Sequence, residues 1–268
     1  MNKCAVFLAV SMLLFPTLAS AEGLITFLPI AKSTAAGQEL PLSLGVTLTY
    51  YNQHQDYDLD KITLPGLPIQ VATDGISVKN RLDEVNLQID AWLFPWLDVF
   101  GLLGKIQATT SVEGVSLMGQ NIAVPDYDYD GLVYGGGATL AGGLDKWFGA
   151  LTAIYTNTNL SKGGSSVTSW VVTPKVGYNF GRVRFWTGAM YQKAEEKHTG
   201  SITMVLPTNI PGQVAPQTVN YEVEMHEKNP WNYLLGAEMG FDRHWQMSVE
   251  GGLGGHRSQV QLSLTCRI

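Results

Sequence analysis

Histidine two residues before serine is a spacing that could support nucleophilic chemistry, and the chain contains it at His256 and Ser258. On an extended backbone, residues two apart project to one side, so the imidazole could take the serine proton. A working nucleophile also needs a third group to orient the base, and none is visible beside this pair. Glu224 and His226 share the spacing but bring no nucleophile. No catalytic residue is assigned, and the expectation is a protein that is not an enzyme. Two acidic stretches, Asp56-Tyr-Asp-Leu-Asp60 and Asp126-Tyr-Asp-Tyr-Asp130, could collect oxygens for Ca²⁺. They lack a fixed ligand spacing and a closing glutamate, so they are read as solvated loop charges. No metal and no cofactor is expected.

A second set of charges lies inside stretches that alternate between apolar and polar residues. These are Glu84, Asp90, Lys105, Lys175, Arg184, Glu238 and Glu250. Both signs are present, which suits ion pairs across an enclosed polar space. Lys105 and Arg184 fall where the alternation marks facing less clearly. The elements that carry these charges follow from the rest of the chain.

The first residues have the layout of an export signal. Lys3 supplies a positive start, Ala5 to Phe15 is apolar apart from Ser11, and Ala19-Ser20-Ala21 forms a small-residue cleavage site. Residues 1–21 are therefore expected to be a signal peptide and 22–38 a periplasmic N-terminal segment. The net charge of −6 becomes about −7 without Lys3, which argues against nucleic acid as a partner. Of two cysteines only Cys266 lies beyond that segment, so no intramolecular disulfide is expected. Charged residues are 15% of the chain, against about 25% in average soluble domains. No apolar run beyond the signal segment is long enough for a transmembrane helix, which needs roughly 20 residues. A low-charge, aromatic-rich exported chain of this kind can still meet lipid as a closed barrel, the only other structure that satisfies its backbone in hydrocarbon.

The period-2 pattern supports a barrel. Leu42, Leu44, Val46, Leu48 and Tyr50 alternate with Ser43, Gly45, Thr47 and Thr49. Val85, Leu87, Ile89 and Ala91 alternate with Glu84, Asn86, Gln88 and Asp90. Similar alternation runs through 170–179, 232–241, 245–253 and the terminal stretch from Val260 to Ile268. Less clearly patterned strands are expected at 98–110, 131–144, 148–158 and 183–193. The predicted architecture of 39–268 is all-β: one transmembrane antiparallel β-barrel of about ten strands, with eight or twelve as alternatives. Tight connections near 94–97, 145–147, 179–182 and 242–244 alternate with mostly longer ones at 53–80, 111–130, 159–166 and 194–229 and a short one near 255–258, as short periplasmic turns alternate with extracellular loops. Trp96, Trp147, Phe148, Phe180, Phe241 and Trp245 flank the tight turns. Tyr50, Tyr134, Tyr155, Trp170, Tyr191 and Tyr233 lie near the other strand ends, which predicts two aromatic girdles. Residues 194–229 either extend strands as a hairpin or fold inward as a plug.

The signal segment, the amphipathic strands and the terminal strand resemble Gram-negative outer-membrane β-barrel proteins. The stretches DAWLFPWLDVFGLLGK (90–105) and TPKVGYNFGRVRFWTGAMYQ (173–192) look like those of small porin-like barrels of unassigned function. The resemblance implies residence in the outer membrane of a Gram-negative bacterium. Its implied partners are outer-membrane lipid and lipopolysaccharide, with the barrel assembly machinery engaged through the C-terminal strand. Such chains commonly end in an aromatic residue, whereas this one ends in Ile268. Outer-membrane proteases of the omptin type carry an Asp–His pair near the outer rim, and no matching Asp-x-His occurs at the expected outer rim here, since Asp242-Arg243-His244 falls at a tight turn. The leading functional expectation is a narrow pore for small solutes. The alternatives are a non-channel structural or surface-interaction barrel and, third, a lipid-modifying enzyme.

Overall fold

Strand formation follows the alternation, because each residue that points to lipid is followed by one that points to the interior. The computed structural model describes residues 42–63, 65, 75–114, 116–117, 120–121, 126–161, 166–207 and 214–268. The expected signal peptide and periplasmic segment lie outside these residues. In chain order the strands are β1 (Leu44–Thr63), β2 (Ser77–Phe94), β3 (Leu97–Glu113), β4 (Ser116–Leu117), β5 (Gln120–Asn121), β6 (Tyr127–Leu144), β7 (Trp147–Leu160), β8 (Ser166–Phe180), β9 (Val183–Pro207), β10 (Val214–Glu227), β11 (Trp231–Gly240), β12 (Trp245–Gly254) and β13 (Arg257–Arg267). β4 and β5 form a separate two-residue ribbon.

The remaining strands pair antiparallel with their neighbours, and β13 returns to β1 from Gly45↔Arg267 to Gln55↔Arg257. That last pairing closes a ten-stranded barrel of β1, β2, β3, β6, β7, β8, β9, β11, β12 and β13. The main-chain groups at the junction are satisfied as well: Leu44 N donates to Ile268 O at 3.1 Å and Ile268 N to Leu44 O at 2.9 Å. The terminal strand is therefore the closing strand.

Connections at one end, the turn end, are tight. Asp145 (φ 54°) and Gly181 (φ 78°) adopt the left-handed backbone that short hairpins require. At the β11–β12 turn, Asp242 Oδ1 accepts from the amides of His244 at 2.7 Å and Trp245 at 2.8 Å. These two hydrogen bonds hold the Asp242 carboxyl below its ordinary pKa.

At the other end, the loop end, the strands run further than their sequence pattern predicts. Parts of the expected loops 53–80, 111–130 and 194–229 are strand. The 20 residues of β1 rise roughly 66 Å along the strand, and a tilt of about 40–45° leaves roughly 45–50 Å along the barrel axis. That is nearly twice the apolar band of about 25 Å. Beyond Gln55, β10 takes the place of β11–β13. It pairs with β9 from His226↔Glu195 to Val214↔Pro207 and with β1 from Tyr57↔Glu227 to Thr63↔Glu222. The wall thus narrows from ten strands to eight, and the 194–229 segment extends the wall as a hairpin.

The exterior is apolar between two aromatic belts. Ile89, Leu103, Leu140, Leu235, Val249 and Leu262 are exposed outward. Trp147 packs on Tyr178 at 5.0 Å and Phe180 on Phe185 at 5.9 Å near the turn end. Tyr155 packs on Trp170 at 4.8 Å and Tyr191 on Trp231 at 5.2 Å toward the loop end. A closed barrel with this exterior is an outer-membrane-type β-barrel. Phe148 departs from the expected girdle. It shares the lumen-facing parity of β7, and its ring occupies the space where a side chain on Gly177 would sit.

Candidate functional site: the lumen

The inward residues are Ser43 to Leu59 by odd numbers on β1, the even positions of β2 and β3, and the odd positions of β13. Threonine and serine pairs bridge neighbouring strands there: Thr47 with Thr265 at 2.9 Å, Thr49 with Ser263 at 3.1 Å, and Thr139 with Thr152 at 2.9 Å. Charges sit within this hydroxyl lining at three levels.

Near the turn end, Asp90 is buried and accepts from Arg267 Nη1 at 2.8 Å. Arg267 lies on β13 and Asp90 on β2, with β1 between them. The strand between carries Gly45 in register with Asp90, where a Cβ would stand 2.4 Å from the carboxylate. Glycine at this point makes room for an ion pair that spans two strand spacings.

In the middle of the lumen, Glu250 Oε2 accepts from Lys175 Nζ at 2.5 Å and from Trp186 Nε1 at 2.5 Å. Lys175 is on β8 and Glu250 on β12, with β9 and β11 between, so this pair ties non-neighbouring walls together. Trp186 reaches Glu250 across Gly236, where a Cβ would meet the indole at 2.3 Å. Arg184 and Glu238, cross-strand neighbours on β9 and β11, form a second ion pair. Glu84 faces the lumen on β2 and accepts from Asn86 Nδ2 at 2.6 Å.

The third level lies just below the narrowing of the wall. Tyr51 OH shares its one proton between Gln53 Oε1 at 2.6 Å and Gln259 Oε1 at 2.7 Å. Gln53 Nε2 donates to Gln55 Oε1 at 2.7 Å, and Arg257 Nε donates to the same oxygen at 3.0 Å. Above this network the interior turns apolar. Tyr57, Val78 and Met225 form one buried cluster, and Ile106, Ala108, Tyr129, Val133 and Leu160 form another. An eight-stranded ring has an interior that side chains just fill, which is why the narrowed wall carries packed apolar residues.

Of the charges expected in the lumen, the structure brings Lys175 to Glu250 and Arg184 to Glu238, with Trp186 as a partner that alternation alone does not single out. Glu84 and Asp90 face inward on β2. Lys105 is a correction: it lies on the outward face of β3, where its amine is 3.6 Å from Asp130 Oδ2. The inward positions of β3 there are Gly104 and Ile106, and both are buried. Arg257 and Arg267 went unread as lumen charges. The odd-number parity of β13, which places Gln259, Gln261 and Ser263 inward, also carries both arginines inward.

Outside the wall, above the Tyr50 level, lies a belt of paired charges. Lys79 meets Glu113 at 3.1 Å, and Arg81 meets Asp83 at 4.0 Å. The two acidic stretches divide by parity: Asp56 and Asp128 point outward, while Tyr57 and Tyr129 point into the apolar clusters. Among the described residues no group of three or more His, Cys, Asp or Glu side chains is gathered as a metal site. The third group missing beside His256 is supplied by the fold, because Asp56 Oδ2 lies 3.3 Å from His256 Nδ1. Ser258 stands opposite His54 across the β1–β13 pair, and no hydrogen bond joins it to either ring. The constellation therefore stops at an exposed Asp–His pair.

No protein-family model matches the sequence, and no curated protein sequence matches it either. Solved structures similar to the chain are outer-membrane barrels. The outer membrane protein OprG of Pseudomonas aeruginosa is 13% identical, with a TM-score of 0.42, covering 85% of this chain and 98% of that one. An outer membrane channel of Pseudomonas putida F1 is 13% identical, with a TM-score of 0.39, covering 85% and 97%. The β domain of the Bordetella autotransporter BrkA is 11% identical, with a TM-score of 0.44, covering 84% and 100%. The barrel assignment rests on the chain's own strand pairing and exterior.

Proposed function

We propose that the protein is a narrow, normally closed pathway for small polar solutes in the outer membrane of a Gram-negative bacterium, with a transport rather than a catalytic role. The observation that carries this reading is the chemistry of the ten-stranded lumen. From Asp90 to Arg257 hydroxyls, amides and charges line it beside the buried apolar side chains of Phe100, Met190 and Leu234, and the tie across it is the Lys175–Glu250 pair. The turn end then faces the periplasm and the loop end the outside. Lipid and lipopolysaccharide contact the girdles and the outward charged belt, and the closing strand β13 is offered to the assembly machinery. A second reading, a non-channel structural or surface-interaction barrel, is favoured by the two apolar clusters in the eight-stranded ring.

Conductance separates the two readings. The refolded chain in a planar bilayer is expected to show rare small steps. These should become more frequent when Lys175→Met and Glu250→Gln are combined, and more frequent again when Ile106→Ser loosens the apolar ring. A folded barrel that stays silent in all three forms supports the structural reading and removes the pathway.

A further inference from the structure

Lys175, Arg184 and Arg267 each face the lumen and each hold a carboxylate. Arg257 is the exception among the described lumen cations, and it is also deeply buried, at 3% exposure. Its Nε donates to Gln55 Oε1, its Nη1 lies 3.7 Å from Met190 Sδ, and its Nη2 has no partner. The buried Glu227 carboxylate acts on it only from a distance, its Oε2 accepting from Ala194 N at 3.0 Å, so a guanidinium held away from water has no anion in contact, which is unfavourable.

Gln55, 2% exposed, shows the same bias. Two donors, Gln53 Nε2 and Arg257 Nε, converge on its oxygen, which fixes the amide orientation. Its Nε2 is left buried with no acceptor. The hydrogen bonds run in one direction, from Tyr51 OH through Gln53 to Gln55. At its upper end the network presents two unpaired donors, Gln55 Nε2 and Arg257 Nη2, with one unpaired acceptor, Asn232 Oδ1, on the neighbouring wall.

We propose that Arg257 and Gln55 form a binding site for the carboxylate of a small monocarboxylic solute at the loop end of the lumen. The proposal rests on the pathway reading and names the solute class. A carboxylate offers oxygens in the plane that a guanidinium and a neighbouring amide N–H recognise. The apolar cluster of Tyr57, Val78 and Met225 lies just above, so the carbon end of the solute faces apolar side chains. Glu250 below and the buried Glu227 beside β1 disfavour a second negative charge, which selects monocarboxylates over dianions.

The test is calorimetric titration of the full refolded barrel in detergent micelles with sodium butyrate, with butyramide as the uncharged analogue. Saturable one-site butyrate binding is expected, with no butyramide binding. Arg257→Gln should weaken it at least about tenfold, the loss of a charge-assisted contact. Gln55→Met keeps the guanidinium and should weaken it by a few fold, so the proposal stays testable if the arginine variant fails to fold. The outward Lys105→Met should leave binding unchanged. Absence of saturable binding to the folded barrel overturns the proposal, as does binding that neither lumen variant alters. A barrel that binds butyrate but never conducts removes the pathway reading alone. One that conducts but does not bind removes this site alone.

Discussion

The Lys175–Glu250 pair is the place where lumen charge, stability and conduction meet. The Glu250 side chain is 7% exposed and that of Lys175 is 23% exposed. Removing one partner of a buried ion pair costs about 3–5 kcal/mol, because the other charge is left without compensation. Lys175→Met leaves the more buried carboxylate with Trp186 alone, so about 3 kcal/mol is expected. Glu250→Gln leaves an amine that water partly reaches and keeps an acceptor for the indole, so the loss should be smaller, about 2 kcal/mol. With both changes no charge remains unpaired, and replacing such a pair by neutral groups is often close to neutral. The double variant should therefore be more stable than the sum of the single losses by about 2 kcal/mol or more. Urea unfolding in lipid vesicles, followed by tryptophan fluorescence, reads this directly. Losses that add to within about 0.5 kcal/mol would show that the two side chains do not depend on each other, and the lumen tie would be refuted.

Three further outcomes follow from the same geometry. Ile106, 3% exposed in the apolar ring, should cost about 2–4 kcal/mol when changed to alanine, read in the same unfolding assay. Leu235, 70% exposed on the lipid face of β11, should cost about 2–4 kcal/mol as arginine in a bilayer if it lies near the midplane, and an unchanged midpoint would reverse the inside–outside assignment of that strand. Asp242 has a folded pKa below its unfolded value, so its contribution is present above the ordinary carboxylate range of about 4 and is lost as pH falls through the lower folded pKa. The stability difference between the wild type and Asp242→Asn should therefore shrink on acidification below about pH 4, measured as paired unfolding midpoints.

Much of the barrel was legible because its signal is local. Val85 to Ala91 and Val260 to Ile268 alternate without interruption, since lipid and lumen impose opposite polarity on successive residues. The tight turns were legible for the same reason: a two- to four-residue connection leaves its polar and glycine residues in sequence. Lys105 was misplaced because it stands where the lumen itself becomes apolar. There Ile106 and Ala108 face inward, so the rule that equates polar with inside reverses. The lengths of β1, β9 and β10 were missed because beyond the girdle both faces of the wall meet mixed surroundings, and the alternation loses its contrast.

The sequence by itself determined the class of fold, the strands that cross the apolar band and the closing strand. These depend on the environment of each residue's own strand face. Only the tertiary structure decided which charges meet. Lys175 finds Glu250 across two intervening strands, Arg267 finds Asp90 over Gly45, and Arg257 is left with Gln55. It also decided that β10 replaces three strands above Gln55 and narrows the wall from ten to eight. Such contacts are set by register and closure around the whole barrel, and a two-residue period carries no information about which strand stands opposite which.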